Sequence, residues 1–227
     1  MKKTLLIAPF DGPIAAAVAA EACAAGWSVA LALAPGFSPA APVSVEGSEA
    51  MAKVAERRAA STSIAYDPRS YVSASSLVLS AINALGELDA AVIIFDPASA
   101  KADFLAAKPG EISALMEERC AGPLFLAREL VRRFEARKAG SLLLVAPESP
   151  RDAALGPAAA MADGAFEGLG TGLFAAAAGQ AWSAFGLRDA SGQADRVARY
   201  AIELLGDAKA AKAGRWLRYT GKSGIFG

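Results

Sequence analysis

Short apolar runs alternate along the chain with longer segments whose apolar residues recur at helical spacing. The runs at 5–8, 27–33, 61–66, 90–95, 142–145, 181–187 and 216–219 predict strands. Residues 12–25, 51–60, 70–85, 111–137, 158–178 and 193–205 predict helices. Continuous apolar strands are typical of strands covered on both faces. The pattern therefore predicts an α/β fold, a doubly wound, mostly parallel seven-stranded sheet with helices on both faces, in a single domain over residues 1–227.

Composition narrows the possible functions of this domain. The formal net charge is +0, so the chain as a whole has no electrostatic attraction for nucleic acid or an anionic membrane. It contains no histidine, and its two cysteines, Cys23 and Cys120, are far apart, so we expect no metal site. The first residues resemble a signal peptide, but Asp11-Gly12-Pro13 interrupts the apolar run, and we expect a buried strand and a helix there. We expect a cytoplasmic protein that binds neither nucleic acid nor a membrane.

Four local phrases occur in an informative order along the chain. They are GELDAAV at 86–92, GPLF at 122–125, GSLLLV at 140–145 and AFEGL at 165–169. Together, over nearly the whole chain, they resemble the short-chain dehydrogenase/reductase family. The resemblance implies a Rossmann-like sheet of that family's type, a dinucleotide cofactor at the first turn, and hydride-transfer chemistry.

The cofactor turn departs from the family pattern. The family's Thr-Gly-x-x-x-Gly-x-Gly corresponds to residues 8–15 here, and Pro9, Pro13 and Ala15 occupy the three glycine positions. Proline has no N–H to offer a phosphate, and Asp11 adds a negative charge where a pyrophosphate would lie. The sequence therefore predicts that no NAD(P) binds at this turn in the usual way, and no cofactor is expected.

The catalytic positions of the family are also replaced. The resemblance places Arg119 at its asparagine, Ala146 at its serine, Ala159 at its tyrosine and Asp163 at its lysine. The family's tyrosine protonates the developing alkoxide and its lysine lowers that tyrosine's pKa. Alanine donates no proton, and a carboxylate raises the pKa of a neighbouring phenol. No catalytic residue is therefore predicted at these positions, although Ser149 lies near enough to serve if the alignment shifts.

The helix predicted over 158–178 carries glycine at four-residue intervals, Gly164, Gly168 and Gly172. Such a stripe permits close helix packing. The resemblance implies a four-helix dimer interface here, with candidate residues Phe125, Leu130, Phe134, Phe166, Gly168, Leu169, Gly172 and Leu173. The alternative is that the stripe faces the protein's own sheet.

Three functional hypotheses follow. The first is a pseudoenzyme: a structural or regulatory subunit in a homo- or hetero-oligomer, whose partner is an active short-chain dehydrogenase. The second is a divergent NAD(P)-dependent oxidoreductase acting on a hydroxy or keto substrate such as an acyl-CoA thioester. The third is a small-ligand sensor whose crevice lies near Phe10, Asp96 and Arg119.

Overall fold

The computed structural model describes residues 2–34, 61–97, 105–148, 156–206 and 214–221. Seven strands form one sheet in which every described pair is parallel. In chain order they are β1 (Thr4–Ala8), β2 (Ser28–Leu33), β3 (Ser61–Ala65), β4 (Ala90–Ile94), β5 (Ser141–Pro147), β6 (Ser183–Asp189) and β7 (Trp216–Tyr219). Their order across the sheet is β3-β2-β1-β4-β5-β6-β7. The predicted α/β class and the seven strands are confirmed, and the sheet is parallel throughout.

Helices join the strands. They are α1 (Gly12–Ala24), α2 (Tyr71–Leu85), α3 (Pro109–Met116), α4 (Gly122–Arg137), α5 (Pro157–Ala177) and α6 (Ala194–Gly206). The helix predicted over 51–60 lies outside the described residues. No described helix is long and apolar enough to cross a bilayer.

Alternate residues of each central strand enter two separate cores. Leu5 and Ile7 of β1 pack with α1 and α6 on one face, whereas Leu6 and Ala8 pack with α2, α4 and α5 on the other. This follows from the two-residue period of a strand. Both faces are therefore covered, which is why the inner strands read as unbroken apolar runs.

The long helix predicted over 111–137 is divided in the structure. A π-helical turn, Glu117–Ala121, separates α3 from α4, and the Gly122 N–H donates to the Glu117 carbonyl. Pro123 has no N–H for the Arg119 carbonyl and its ring would crowd it in a regular α-helix. The wider turn relieves that conflict, and it brings Glu118 and Arg119 toward the carboxyl ends of the strands.

Candidate ligand crevice at the switch point of the sheet

A crevice with a volume of about 230 Å³ opens beyond the carboxyl ends of β1, β3 and β4. The strand order reverses direction between β1 and β4. Ligands of open α/β sheets bind at such switch points, so this crevice is the candidate site. Its apolar lining includes Tyr66, Ile93, Phe95 and Leu126, and its charged lining comprises Asp11, Asp67, Arg69, Glu118 and Arg119.

The turn between β1 and α1 forms one wall. The Phe10 N–H donates to the Ala32 carbonyl at 2.7 Å, and the Phe10 ring, 5% exposed, is held in the core beneath α1. Asp11 is thereby left at the mouth, immediately before α1. Gly12 begins the helix with a φ of 71°, a conformation that favours glycine. Phe10, expected to line a ligand site, is core instead, and Asp11 takes that place.

The charges of the crevice are unevenly matched. Arg69 donates to both carboxylate oxygens of Asp67, at 3.1 and 3.2 Å, and Arg119 pairs with Glu118 at 2.9 Å. Asp11 makes no helix-capping hydrogen bond, but a backbone hydrogen bond and the charge of Arg119 both act on its carboxyl. The Nε of Arg119 is buried without a hydrogen-bond partner among the described residues. Three carboxylates thus face two guanidinium groups among the described lining residues.

The surroundings of Asp11 disfavour the ionised form of its carboxyl. Although it is exposed at the mouth, the surrounding protein displaces water, and this desolvation raises the pKa of its carboxyl. Arg119 acts in the opposite direction, and the negative charges of Asp96 and Glu118 add to the rise. Asp96, which was expected to line the crevice, is exposed nearby. No group of three or more metal-ligating side chains was found in the described ranges.

A dinucleotide pyrophosphate does not fit this turn. Anion binding at a helix N-terminus requires free N–H groups and room for the phosphate. Pro9 lines the crevice and has no N–H, Pro13 lies in the first turn of α1, and Ala15 is fully buried. Asp11 adds a repelling charge at the same point. The crevice is also smaller than the 300–1,000 Å³ typical of ligand pockets.

The sequence anticipated part of this lining. The strand pattern predicts a ligand at the loops after the first, fourth, fifth and sixth strands. Pro9, Asp11 and Phe95, at the first and fourth strands, do line the crevice, whereas its described lining includes no residue that follows β5 or β6. The segment after β3, with Tyr66 and Arg69, was missed. Its signal was present, because a third parallel strand beside β2 must also end at this edge of the sheet.

The residues that the resemblance places at catalytic positions have the following surroundings. Ala146 on β5 is fully buried and Ala159 on α5 is 5% exposed. Asp163 forms an ion pair with Arg188 of β6, with 2.6 Å between its Oδ1 and the Nη1 of the arginine. Arg119 lines the crevice, as described above. Ser149 lies outside the described residues.

Arg188 connects three elements of the fold. Besides Asp163, it reaches Glu167 of α5 at 3.2 Å, and its guanidinium lies 4.8 Å from the ring centre of Trp216 on β7. The Arg188 side chain is 12% exposed, so its charge depends on these partners. Sequence reasoning missed it, although a guanidinium within the apolar run of β6 requires a buried partner.

The structure describes all four tyrosines, and each is buried, hydrogen-bonded to other side chains or stacked on another ring. Burial, together with the nearby Asp67, raises the pKa of Tyr66 well above its usual range. The Tyr71 hydroxyl donates to Glu129 at 2.8 Å and accepts from Arg128. Tyr200 and Tyr219 stack on each other, with 5.2 Å between ring centroids. A raised phenol pKa is opposite to the shift that a tyrosine general acid is given in the resembled family.

The glycine stripe of α5 points outward. Gly164, Gly168 and Gly172 are exposed, and a Cβ on any of them would meet no described atom within 4 Å. The alternative that the stripe packs on the protein's own sheet is wrong, because Gly170 is the glycine that faces Trp216 and Leu144. We call one stripe on the exposed side of α5 the α5 outer face; it consists of Met161, Gly164, Ala165, Gly168, Gly172 and Ala176. The exposed residues Ala160, Glu167, Thr171 and Ala175 lie beside it.

Three of the expected interface residues lie in the core. Leu130 and Phe134 are 0% exposed and Phe166 is 1% exposed, because their side chains fill the space between α4, α5 and the sheet. The prediction that these side chains form an interface on the surface is therefore wrong. Leu169, Leu173 and Phe125 are half-buried at the edges of that core and retain some exposed area.

No protein-family model matches the sequence, and no curated protein matches it in sequence. Solved structures of short-chain dehydrogenases/reductases, in contrast, are similar over almost the full length. One from Sinorhizobium meliloti is 17% identical with a TM-score of 0.74, covering 98% of each chain. A metagenomic short-chain oxidoreductase in complex with NADP is 19% identical with a TM-score of 0.71, covering 96% of each chain.

An NADH-dependent reductase complexed with NAD is 13% identical with a TM-score of 0.76, covering 97% of this chain and 95% of its own. The sheet order, the parallel pairing and these similarities agree. The chain has the Rossmann-like fold of the short-chain dehydrogenases/reductases.

Proposed function

We propose that this chain is a non-catalytic subunit of short-chain dehydrogenase/reductase fold that assembles with an active homologue carrying an intact Tyr-x-x-x-Lys. The observation that carries the proposal is the pairing of Asp163 with Arg188 where the resemblance places the catalytic lysine. Carbonyl reduction requires a proton donor for the developing alkoxide. Buried alanines at the serine and tyrosine positions provide none.

The α5 outer face supports a role in assembly. Three of its six residues are glycines, and each glycine inside a helix costs about 1 kcal/mol relative to alanine. Nothing in the described part of the chain contacts them in return. Met161 on this face is 54% exposed, and Leu124 on α4 is 52% exposed. A facing helix would bury these apolar groups and use the space that the glycines leave.

Oligomeric state tests this proposal directly. We expect the purified chain, mixed with candidate homologues that retain the catalytic tyrosine and lysine, to form a mixed oligomer in native mass spectrometry. Gly168→Leu should weaken that assembly at least about tenfold, because its side chain fills the close approach. Gly110→Leu, at a helical glycine of α3 with equally open surroundings, is the matched control. Self-association alone with every candidate would contradict the mixed subunit.

A divergent NAD(P)-dependent oxidoreductase acting on a hydroxy or keto compound, such as an acyl-CoA thioester, is the second candidate. It is supported by the crevice at the switch point and by two similar structures whose names record bound NADP and NAD. In this case Ser149 would serve as the proton donor and the dinucleotide would bind in an altered pose. Titration of NADH and NADPH against the fluorescence of Trp27, Trp182 and Trp216 separates the candidates. Micromolar quenching favours the oxidoreductase.

A further inference from the structure

Two hydrogen-bond donors in the lining of the crevice have no acceptor among the described residues. The Nε of Arg119 is buried without a hydrogen-bond partner there. The Tyr66 side chain is 3% exposed and lines the same crevice, and no described group forms a hydrogen bond with its hydroxyl. The large majority of buried polar groups in proteins do have a partner. Two unpaired donors in one lining therefore indicate a ligand that supplies the acceptor.

Both side chains hold a proton to donate at neutral pH. Burial and the negative charge of Asp67 raise the pKa of the Tyr66 phenol well above its usual range, so the hydroxyl stays protonated. The Arg119 guanidinium is always charged and has N–H groups only, one of which is on the Nη2 that pairs with Glu118 at 2.9 Å. A carbonyl oxygen is the kind of group that both can bind.

The charges around these donors determine the charge of the ligand. Arg69 is bonded to Asp67. Arg119 is paired with Glu118 and is also the charge that opposes Asp11. An anionic ligand would place a fourth carboxylate beside these two guanidinium groups, and a cation would bring further donors to unpaired donors. An uncharged ligand with an acceptor oxygen meets neither obstacle.

The rest of the lining suits a compact apolar body. Ile93, Phe95 and Leu126 are buried side chains that line the same crevice. Its volume of about 230 Å³ lies below the range typical of ligand pockets, which favours a single-ring molecule over a dinucleotide. The ligand is therefore expected to have an aromatic or aliphatic body behind its acceptor oxygen.

We propose that this crevice binds a small, uncharged organic molecule through a carbonyl oxygen, with the Tyr66 hydroxyl and the Arg119 guanidinium as its hydrogen-bond donors. The apolar body of the ligand lies against Phe95 and Leu126. The site is independent of the proposed role in assembly, because no residue of the α5 outer face belongs to its described lining. Failure of one proposal therefore leaves the other intact.

Three probes of the same shape and different charge test the proposal. NMR titration at matched ionic strength compares benzamide, which is neutral, with benzoate, an anion, and with benzamidine, a cation that has no acceptor oxygen. We expect benzamide to bind at least about threefold more tightly than either, because the carboxylates of the crevice repel benzoate and benzamidine leaves the Tyr66 hydroxyl unpaired. A smaller preference, tighter binding of AMP than of benzamide, or no binding of benzamide at millimolar concentration would each overturn the proposal.

Variants locate the donors. Tyr66→Phe removes only the hydroxyl and should weaken benzamide at least about threefold without lowering the melting temperature, because no described group loses a hydrogen bond. Tyr200→Phe is the matched control: it packs against the core on the opposite face of the sheet and should leave the affinity unchanged. Arg119→Lys keeps the charge, removes the Nε donor and should also weaken benzamide.

The affinities of these variants decide the assignment. Unchanged benzamide affinity in Tyr66→Phe or in Arg119→Lys refutes the role of that donor, and a loss in Tyr200→Phe as large as in Tyr66→Phe refutes the location of the site. If Tyr66→Phe does not fold, the comparison of the three probes on the unaltered chain decides the matter.

Discussion

The replacement of Asp163 by lysine, the residue that the family resemblance expects there, should damage this protein. Asp163 is 2.6 Å from Arg188, whose side chain is 12% exposed, and Glu167 is the other carboxylate bonded to that guanidinium. Asp163→Lys removes the shorter contact and introduces a second cation. The substitution therefore lowers the free energy of unfolding, although it introduces the lysine that the family resemblance expects at this position.

The magnitude follows from the exposure of the pair. A hydrogen bond to a charged group contributes about 1.5–3 kcal/mol when it is protected from water. Asp163 is 26% exposed, so it lies in the lower part of that range, and Glu167 retains part of the interaction. Repulsion between the lysine and Arg188 adds to the loss, although a lysine side chain can extend into solvent. We expect a total of about 2–4 kcal/mol and a melting temperature lower by about 4–16 °C.

Urea denaturation, followed by far-UV circular dichroism and tryptophan fluorescence, measures the change in the free energy of unfolding. The two signals should coincide if unfolding is two-state. Asp163→Asn is the matched control: it keeps the size and one acceptor, and should lose about 1–2 kcal/mol. If Asp163→Lys is as stable as the unaltered chain, Arg188 does not depend on this carboxylate and the argument for a structural role fails.

Three further predictions concern stability. Gly186→Ala should destabilise the chain by about 1–3 kcal/mol, since the added Cβ would overlap the Trp216 ring; a normal urea midpoint would contradict that packing. Asp11→Asn should stabilise the chain at pH 7, because the raised pKa makes the ionised carboxylate unfavourable in the fold. Thermal melts should show the gain appearing as pH rises through the folded pKa and vanishing below 3.8, where both states are protonated. Asp89→Asn should destabilise the chain at pH 7. Burial raises the pKa of Asp89, but hydrogen bonds from Arg137 and from the backbone and hydroxyl of Thr4 outweigh burial and lower that pKa. That stability is lost as pH falls below 3.8 toward the folded pKa, so urea midpoints of variant and unaltered chain should converge there.

The strands were predictable because a strand that is buried on both faces consists of consecutive apolar residues. β7 matches its predicted range in full, and the other six differ from theirs by a few residues at the ends. Such differences are expected, because the pairing of the last residue of a strand depends on its neighbour in the sheet. The strand predicted over 61–66 is present at the edge of the sheet as Ser61–Ala65, which contains the β-branched residues Thr62 and Ile64.

The crevice and the pairing of Arg188 were not predictable in the same way. Residues 163 and 188 are 25 positions apart, and their contact depends on how α5 lies against β6. The π-helical turn that carries Arg119 also depends on the way Gly122 packs on Pro68, where an added Cβ would be 2.7 Å from a carbonyl oxygen. No local pattern records these distances.

By itself, the sequence determined the α/β class and the seven strands, because each is recorded in residues adjacent along the chain. Tertiary structure decided which face of α5 holds the glycine stripe, which phenylalanines are core, and which charged side chains meet in the crevice. Those properties depend on the meeting of side chains from distant segments, where a shift of one residue along a helix turns a side chain by about 100°. An α5 rotated by that amount would bury the stripe and expose Phe166, so packing against the sheet, more than propensity, assigned the outer face.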